Sequence, residues 1–103
     1  MPPIKIASWN VNSIKARQEH VKNWLGIQKP NSLFLQELKG ETLPEISEKH
    51  YAVFVGQKAY NGVAILSDEP VTVQLTALPG DDTDTQARFL QATYRGLTLI
   101  NIY

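Results

Sequence analysis

The first 37 residues constrain this chain most. Ile4 to Trp9 reads as a strand, with Ile4, Ile6 and Ser8 on one face and Lys5, Ala7 and Trp9 on the other. Asn12 and Ser13 follow as helix-cap residues. Ile14, Val21, Trp24 and Leu25 then share one helical face, while Lys15, Gln18, Glu19 and Lys22 fall elsewhere. Lys29-Pro30 stops that helix, because proline has no N–H and clashes with the preceding turn. Leu33-Phe34-Leu35 is a short continuous apolar run closed by Gln36-Glu37, the pattern of a strand covered on both faces. Strand, helix and apolar strand in that order predict a right-handed βαβ unit with parallel strands, and so an α/β class.

Beyond Glu37 the helical period fades. Thr42-Leu43-Pro44-Glu45 resembles a capping box with proline in the first turn, which predicts a short helix to about Lys49. Tyr51 to Val55 and Gly62 to Leu66 read as strands around a turn at Ala59-Tyr60-Asn61-Gly62. Val71 to Leu75 reads as another strand. Pro79 to Asp84 is a polar loop of Pro, Gly and Asp. Arg88 to Tyr94 and Leu97 to Tyr103 form two strands joined at Arg95-Gly96, a hairpin signal. No repeat, low-complexity tract or linker interrupts the chain. It ends inside an apolar strand, TLINIY, which reads either as a terminal strand tied into its sheet or as a truncated domain.

Composition bounds the rest. The chain has 103 residues, 43% of them apolar, which suits one small domain with a real core. Ten basic residues balance ten acidic ones, so no basic arm and no global electrostatic footprint for nucleic acid exist. Phosphate binding would have to come from local charges or a metal. There is no cysteine, which excludes disulfides and thiolate metal sites and is compatible with a reducing cytoplasm. The N-terminus lacks the apolar stretch of a signal peptide, and no apolar run approaches membrane-spanning length.

In open α/β sheets ligands gather beyond the carboxyl ends of parallel strands. Two such ends carry polar groups here: Asn10 and Asn12 after the first strand, Gln36-Glu37 after the second. If the strands are neighbours, a carboxylate and amide oxygens converge. These are hard ligands, suited to Mg²⁺ or Mn²⁺ rather than zinc. On spacing alone the same residues read more readily as a solvated glutamate and as turn and cap asparagines.

A resemblance adds to this. SWNVNSIKAR at 8–17 and LFLQELKG at 33–40 resemble the exonuclease III family of apurinic/apyrimidinic endonucleases, within the endonuclease/exonuclease/phosphatase superfamily. GQKAYNGVAILS at 56–67 and PGDDTDTQAR at 79–88 are similar to the family's next two motifs, and LINIY at 99–103 to the strand that leads into its catalytic tyrosine. The first two motifs are shared across the superfamily. The next two point to DNA repair and away from its phosphatases and phospholipases.

The resemblance implies residues 1–103 as the N-terminal half of a four-layer, DNase I-like α/β sandwich, supplying one mixed sheet with helices on one side. It implies Glu37 as the principal carboxylate ligand of a catalytic Mg²⁺ (or Mn²⁺), with Asn12 near the metal. Asn10 would orient the scissile phosphate or the attacking water, and Tyr103 would donate to a phosphate oxygen. Lys15, Arg17 and Arg88 would contact the DNA backbone, and Tyr60 and Asn61 would lie on a loop approaching the groove. Solvated surface charge is the competing reading for each basic residue. The implied activity is metal-dependent phosphodiester hydrolysis at abasic sites and 3′ ends of double-stranded DNA, in the cytoplasm, with no membrane and, in full-length form, no obligate oligomer. The family's water-activating aspartate and its histidine lie in a second half that these residues do not include, so the fragment alone is expected to be inactive. The alternative is a non-catalytic half-domain or interaction module. His20 and His50 are expected at the surface and outside catalysis.

Overall fold

The computed structural model describes residues 3–78, 80 and 85–103. The expected polar loop at 79–84 therefore falls, except for Gly80, outside the described residues. The βαβ unit forms as the pattern predicts. Strand β1 (Ile6–Asn10) runs parallel to β2 (Ser32–Gln36), with Asn10 opposite Gln36. Helix α1 (Ile14–Gln28) joins them. Ser13 caps it by accepting a hydrogen bond from the Ala16 N–H at 3.3 Å. Lys29 ends it in the left-handed conformation (φ 46°), its N–H donating to Leu25 at 3.0 Å.

Strands β3 (Tyr51–Val55) and β4 (Val63–Ser67) form an antiparallel hairpin, and β4 also pairs antiparallel with β2. The result is a mixed four-stranded sheet in the order β1-β2-β4-β3. Its two faces are both apolar, as the LFL run required. Leu33, Leu35, Ala64 and Leu66 face α1 with Val21 and Leu25, and Trp9 meets Trp24 edge to face at 6.0 Å. Phe34, Val53, Val55, Val63 and Ile65 face the other way.

Two expectations are corrected. The last three strands do not extend the first sheet. β5 (Thr72–Leu75), β6 (Phe89–Tyr94) and β7 (Leu97–Ile102) make a second, antiparallel sheet that covers the free face of the first with Leu90, Ala92, Tyr94 and Leu99. A sheet apolar on both faces must bury both, and one helix covers only one of them. The predicted helix over Thr42–Lys49 is also absent: the segment is bends and a turn, pinned by Ile46, which is buried against the helix-side core. A single helix of two turns is marginal on its own, and side-chain anchoring decides here. Only α1 flanks the first sheet among the described residues, where several helices were expected.

One buried amide couples the two sheets. Asn101, 1% exposed on β7, donates to the carbonyls of Leu35 at 2.9 Å and Ala64 at 2.7 Å. It accepts from the Gln36 side chain at 2.8 Å, and Gln36 also donates to Ser8. Buried polar groups persist when satisfied, and this one fixes β7 in register against β2. At the other end Tyr94 donates to Asp68 at 2.5 Å, Asn31 donates to the same carboxylate, and Arg95 lies 5.1 Å over the Tyr94 ring. Burial and the Asp68 carboxylate push the Tyr94 phenol up to about 12. Among the described residues no helix is long and apolar enough to cross a membrane.

Candidate active site

The site forms where three chain segments meet at the carboxyl ends of β1, β2 and β7. Past the strands, backbone pairing continues: Val11 donates to Gln36, Ser13 to Glu37 and Ile14 to Leu38, at 2.8–3.1 Å. This zipper holds the loop before α1 against the loop after β2. It does so through left-handed backbone at non-glycine residues: Asn12 (φ 44°), Ser13 (φ 89°), Glu37 (φ 59°) and Lys39 (φ 56°). Such conformations cost energy, and they concentrate where geometry matters more than stability.

Glu37 is the centre. Its Oε1 accepts from the Tyr103 hydroxyl at 2.6 Å and from the Asn10 side-chain amide at 3.4 Å. Its Oε2 pairs with the Lys39 ammonium at 3.3 Å. The Tyr103 hydrogen bond, then those of Asn10 and Lys39 and the Lys39 charge, outweigh burial and hold the carboxyl below its usual range. The same bond raises the Tyr103 phenol, which therefore stays a donor. Asn10 Oδ1 accepts from the Asn12 N–H at 3.1 Å, a local turn that fixes its amide. Asn12 Oδ1 accepts from Lys39 Nζ at 2.5 Å.

Tyr103 arrives from the second sheet. Asn101, two residues earlier, sets the register of β7, and the Tyr103 N–H donates to the Arg88 carbonyl at 2.8 Å. The Arg88 guanidinium lies 5.3 Å from the Tyr103 ring centre and reaches its carbonyl at 3.4 Å. The donor set is one charged carboxylate and amide oxygens, partly open to solvent. It fits a magnesium ion held by one carboxylate, waters and a substrate phosphate. Among the described residues no three His, Cys, Asp or Glu side chains gather, so the site has no zinc-type ligand cluster.

Residues 7–103 match the model of the Endonuclease/Exonuclease/phosphatase family. The chain belongs to that family.

Within the family it is 35% identical to exodeoxyribonuclease III of Haemophilus influenzae over 97% of this chain and 41% of that protein. It superposes on the 3′ phosphatase NExo from Neisseria, solved with a product DNA hairpin, with a TM-score of 0.93 and 39% identity, covering 98% of this chain and 41% of that one. An AP endonuclease from Archaeoglobus fulgidus gives 0.89 and 36%, at 98% and 41% coverage. The chain thus spans about two fifths of the length of these relatives.

In this family member Asn10, Asn12, Glu37 and Tyr103 converge, and Arg88 adjoins them through Tyr103. The loop of Tyr60 and Asn61 abuts the site by its backbone. The Asn61 carbonyl accepts from the Lys39 N–H at 2.9 Å, and Gly62 (φ 99°) packs so closely on Leu38 that an added Cβ would sit 2.8 Å from it. The Tyr60 side chain is exposed. Lys15 and Arg17 stand exposed on the first turn of α1, and among the described residues no hydrogen bond or ion pair ties either to the site. Sequence reasoning missed Lys39 and Asn101. The Glu37-x-Lys39 spacing and a lone asparagine within an apolar strand were the available signals.

Proposed function

We propose that these residues form part of an exonuclease III-type catalytic domain that hydrolyses phosphodiester bonds in duplex DNA at abasic sites and 3′ ends. The observation that carries this reading is the 2.6 Å hydrogen bond from Tyr103 to Glu37, which joins two sheets across 66 positions at the end where Asn10 and Asn12 also point. Glu37 would hold Mg²⁺ (or Mn²⁺), with Asn12 beside it. The ion's contribution when bound is to polarise the phosphate and stabilise the leaving oxygen. Asn10 orients the phosphate or the attacking water. Tyr103, protonated and aimed, donates to a phosphate oxygen as charge builds on it. Arg88, Lys15 and Arg17 bind the backbone, and Tyr60 and Asn61 face the groove. The group that activates the water is not among these residues.

The 103 residues alone therefore leave an abasic-site duplex uncut in Mg²⁺. Joined in frame to the remaining part of the Haemophilus influenzae exodeoxyribonuclease III, they give EDTA-sensitive incision. Efficient cutting by the isolated chain, or a folded chimera that never cuts, would overturn the proposal.

A further inference from the structure

We infer that Lys39 is a built-in counter-ion seated in the divalent-metal position, which an incoming metal must displace. The inference rests on the metal-site reading above. Its basis is the contact pattern of one ammonium. Lys39 Nζ lies 3.3 Å from Glu37 Oε2 and 2.5 Å from Asn12 Oδ1. These are the two side chains whose oxygens are offered to the metal. Magnesium would approach such oxygens to about 2.1 Å. An ammonium touching both occupies the same space and satisfies the same lone pairs.

The backbone brings the Lys39 stem to this place, and the half-exposed side chain reaches the two oxygens from there. The Lys39 N–H is tied to the Asn61 carbonyl at 2.9 Å, and the Leu38 N–H to Gly62 at 3.2 Å. Lys39 and Glu37 both sit in left-handed backbone, which directs the residue between the two loops. The ammonium also has an electrostatic reason to be there. The Glu37 carboxylate and the Asn12 amide oxygen both present negative charge density to the same point, which favours a cation there. Lys39 supplies that positive charge. A metal held by the same two oxygens would have to push the ammonium aside. A displaced monovalent cation about 4 Å from a divalent one still repels it enough to weaken binding roughly tenfold.

The test is a Mn²⁺ titration of the 103-residue chain, followed by the electron paramagnetic resonance signal of free Mn²⁺. Lys39→Met binds Mn²⁺ about tenfold tighter than the wild type. Lys39→Arg and Lys22→Met, the latter a control for net charge at a distant exposed position on α1, stay within about twofold, as retained local charge and screened distant charge require. Glu37→Gln abolishes binding in both the wild-type and Lys39→Met backgrounds. Unchanged or weaker binding by Lys39→Met, with Glu37→Gln still abolishing it, overturns the counter-ion inference and leaves the metal seat standing. Tighter binding that survives Glu37→Gln places the metal elsewhere and overturns both. Absence of binding by wild type and Lys39→Met alike overturns both as well.

Discussion

At the scale of single residues, the site depends on how one carboxylate is kept charged. Glu37 owes its lowered pKa first to the Tyr103 hydroxyl. A depressed carboxyl keeps its charge, and any contribution that charge makes, above its ordinary pKa and loses it as pH falls through the folded value. Tyr103→Phe therefore moves the acid limb of Mn²⁺ binding to higher pH, measurable by repeating the titration down the acid range. An unmoved limb would remove Tyr103 as the cause. Tyr94 runs the opposite way. Its phenol is raised to about 12, so it stabilises the fold in full below about pH 10 and loses that contribution as pH climbs through the folded value. Tyr94→Phe flattens the alkaline end of the unfolding curve and costs about 1–3 kcal/mol at neutral pH, because the Asp68 carboxylate loses its shortest donor. Circular dichroism melts across the alkaline range check both halves of that statement.

At the scale of elements, Asn101 carries more than its side-chain size suggests. Replacing it by leucine leaves one Gln36 amide hydrogen without its acceptor, Ser8 keeping the other, and removes two donors from the strand carbonyls of β2 and β4. A loss of about 2 kcal/mol in urea unfolding is expected. A change within a few tenths would mean that the apolar contacts alone hold the sheets together. The elements that could be read from the sequence were those with a long or unmistakable pattern. The amphipathic face of α1, the LFL run and the Arg95-Gly96 turn, both of whose residues have positive φ, all appear where the pattern placed them. The Thr42–Lys49 helix failed because a cap motif says how a helix starts and not whether one is long enough to persist. The second sheet was not legible. Alternation in β6 and β7 is compatible with pairing in either sheet, and only the need to cover Phe34, Val53 and Ile65 decides. Likewise the approach of Glu37 to Asn10 followed from strand order, whereas Lys39 between Glu37 and Asn12 depends on left-handed backbone that no residue type there announces.

At the scale of the whole molecule, the described residues form a slab 18 Å in its thinnest dimension. Two layers of the slab bury their facing sides, while the outer face of the second sheet presents Leu75, Ile100 and Ile102 to solvent. An apolar face of this kind favours association. The 103-residue chain is expected to self-associate at roughly micromolar to millimolar concentration. Ile100→Thr with Ile102→Thr is expected to relieve it in sedimentation velocity. A wild-type chain that sediments cleanly as a monomer would contradict this. The central claim is that Glu37 is the metal-holding carboxylate of a phosphodiesterase site. It is tested most directly by the kcat/KM for abasic-site incision of the Haemophilus influenzae chimera carrying Glu37→Gln. The account predicts a loss of about a thousandfold with an unchanged melting temperature, since several kcal/mol of transition-state stabilisation pass through the metal. Near-wild-type turnover by a folded Glu37→Gln chimera would contradict it.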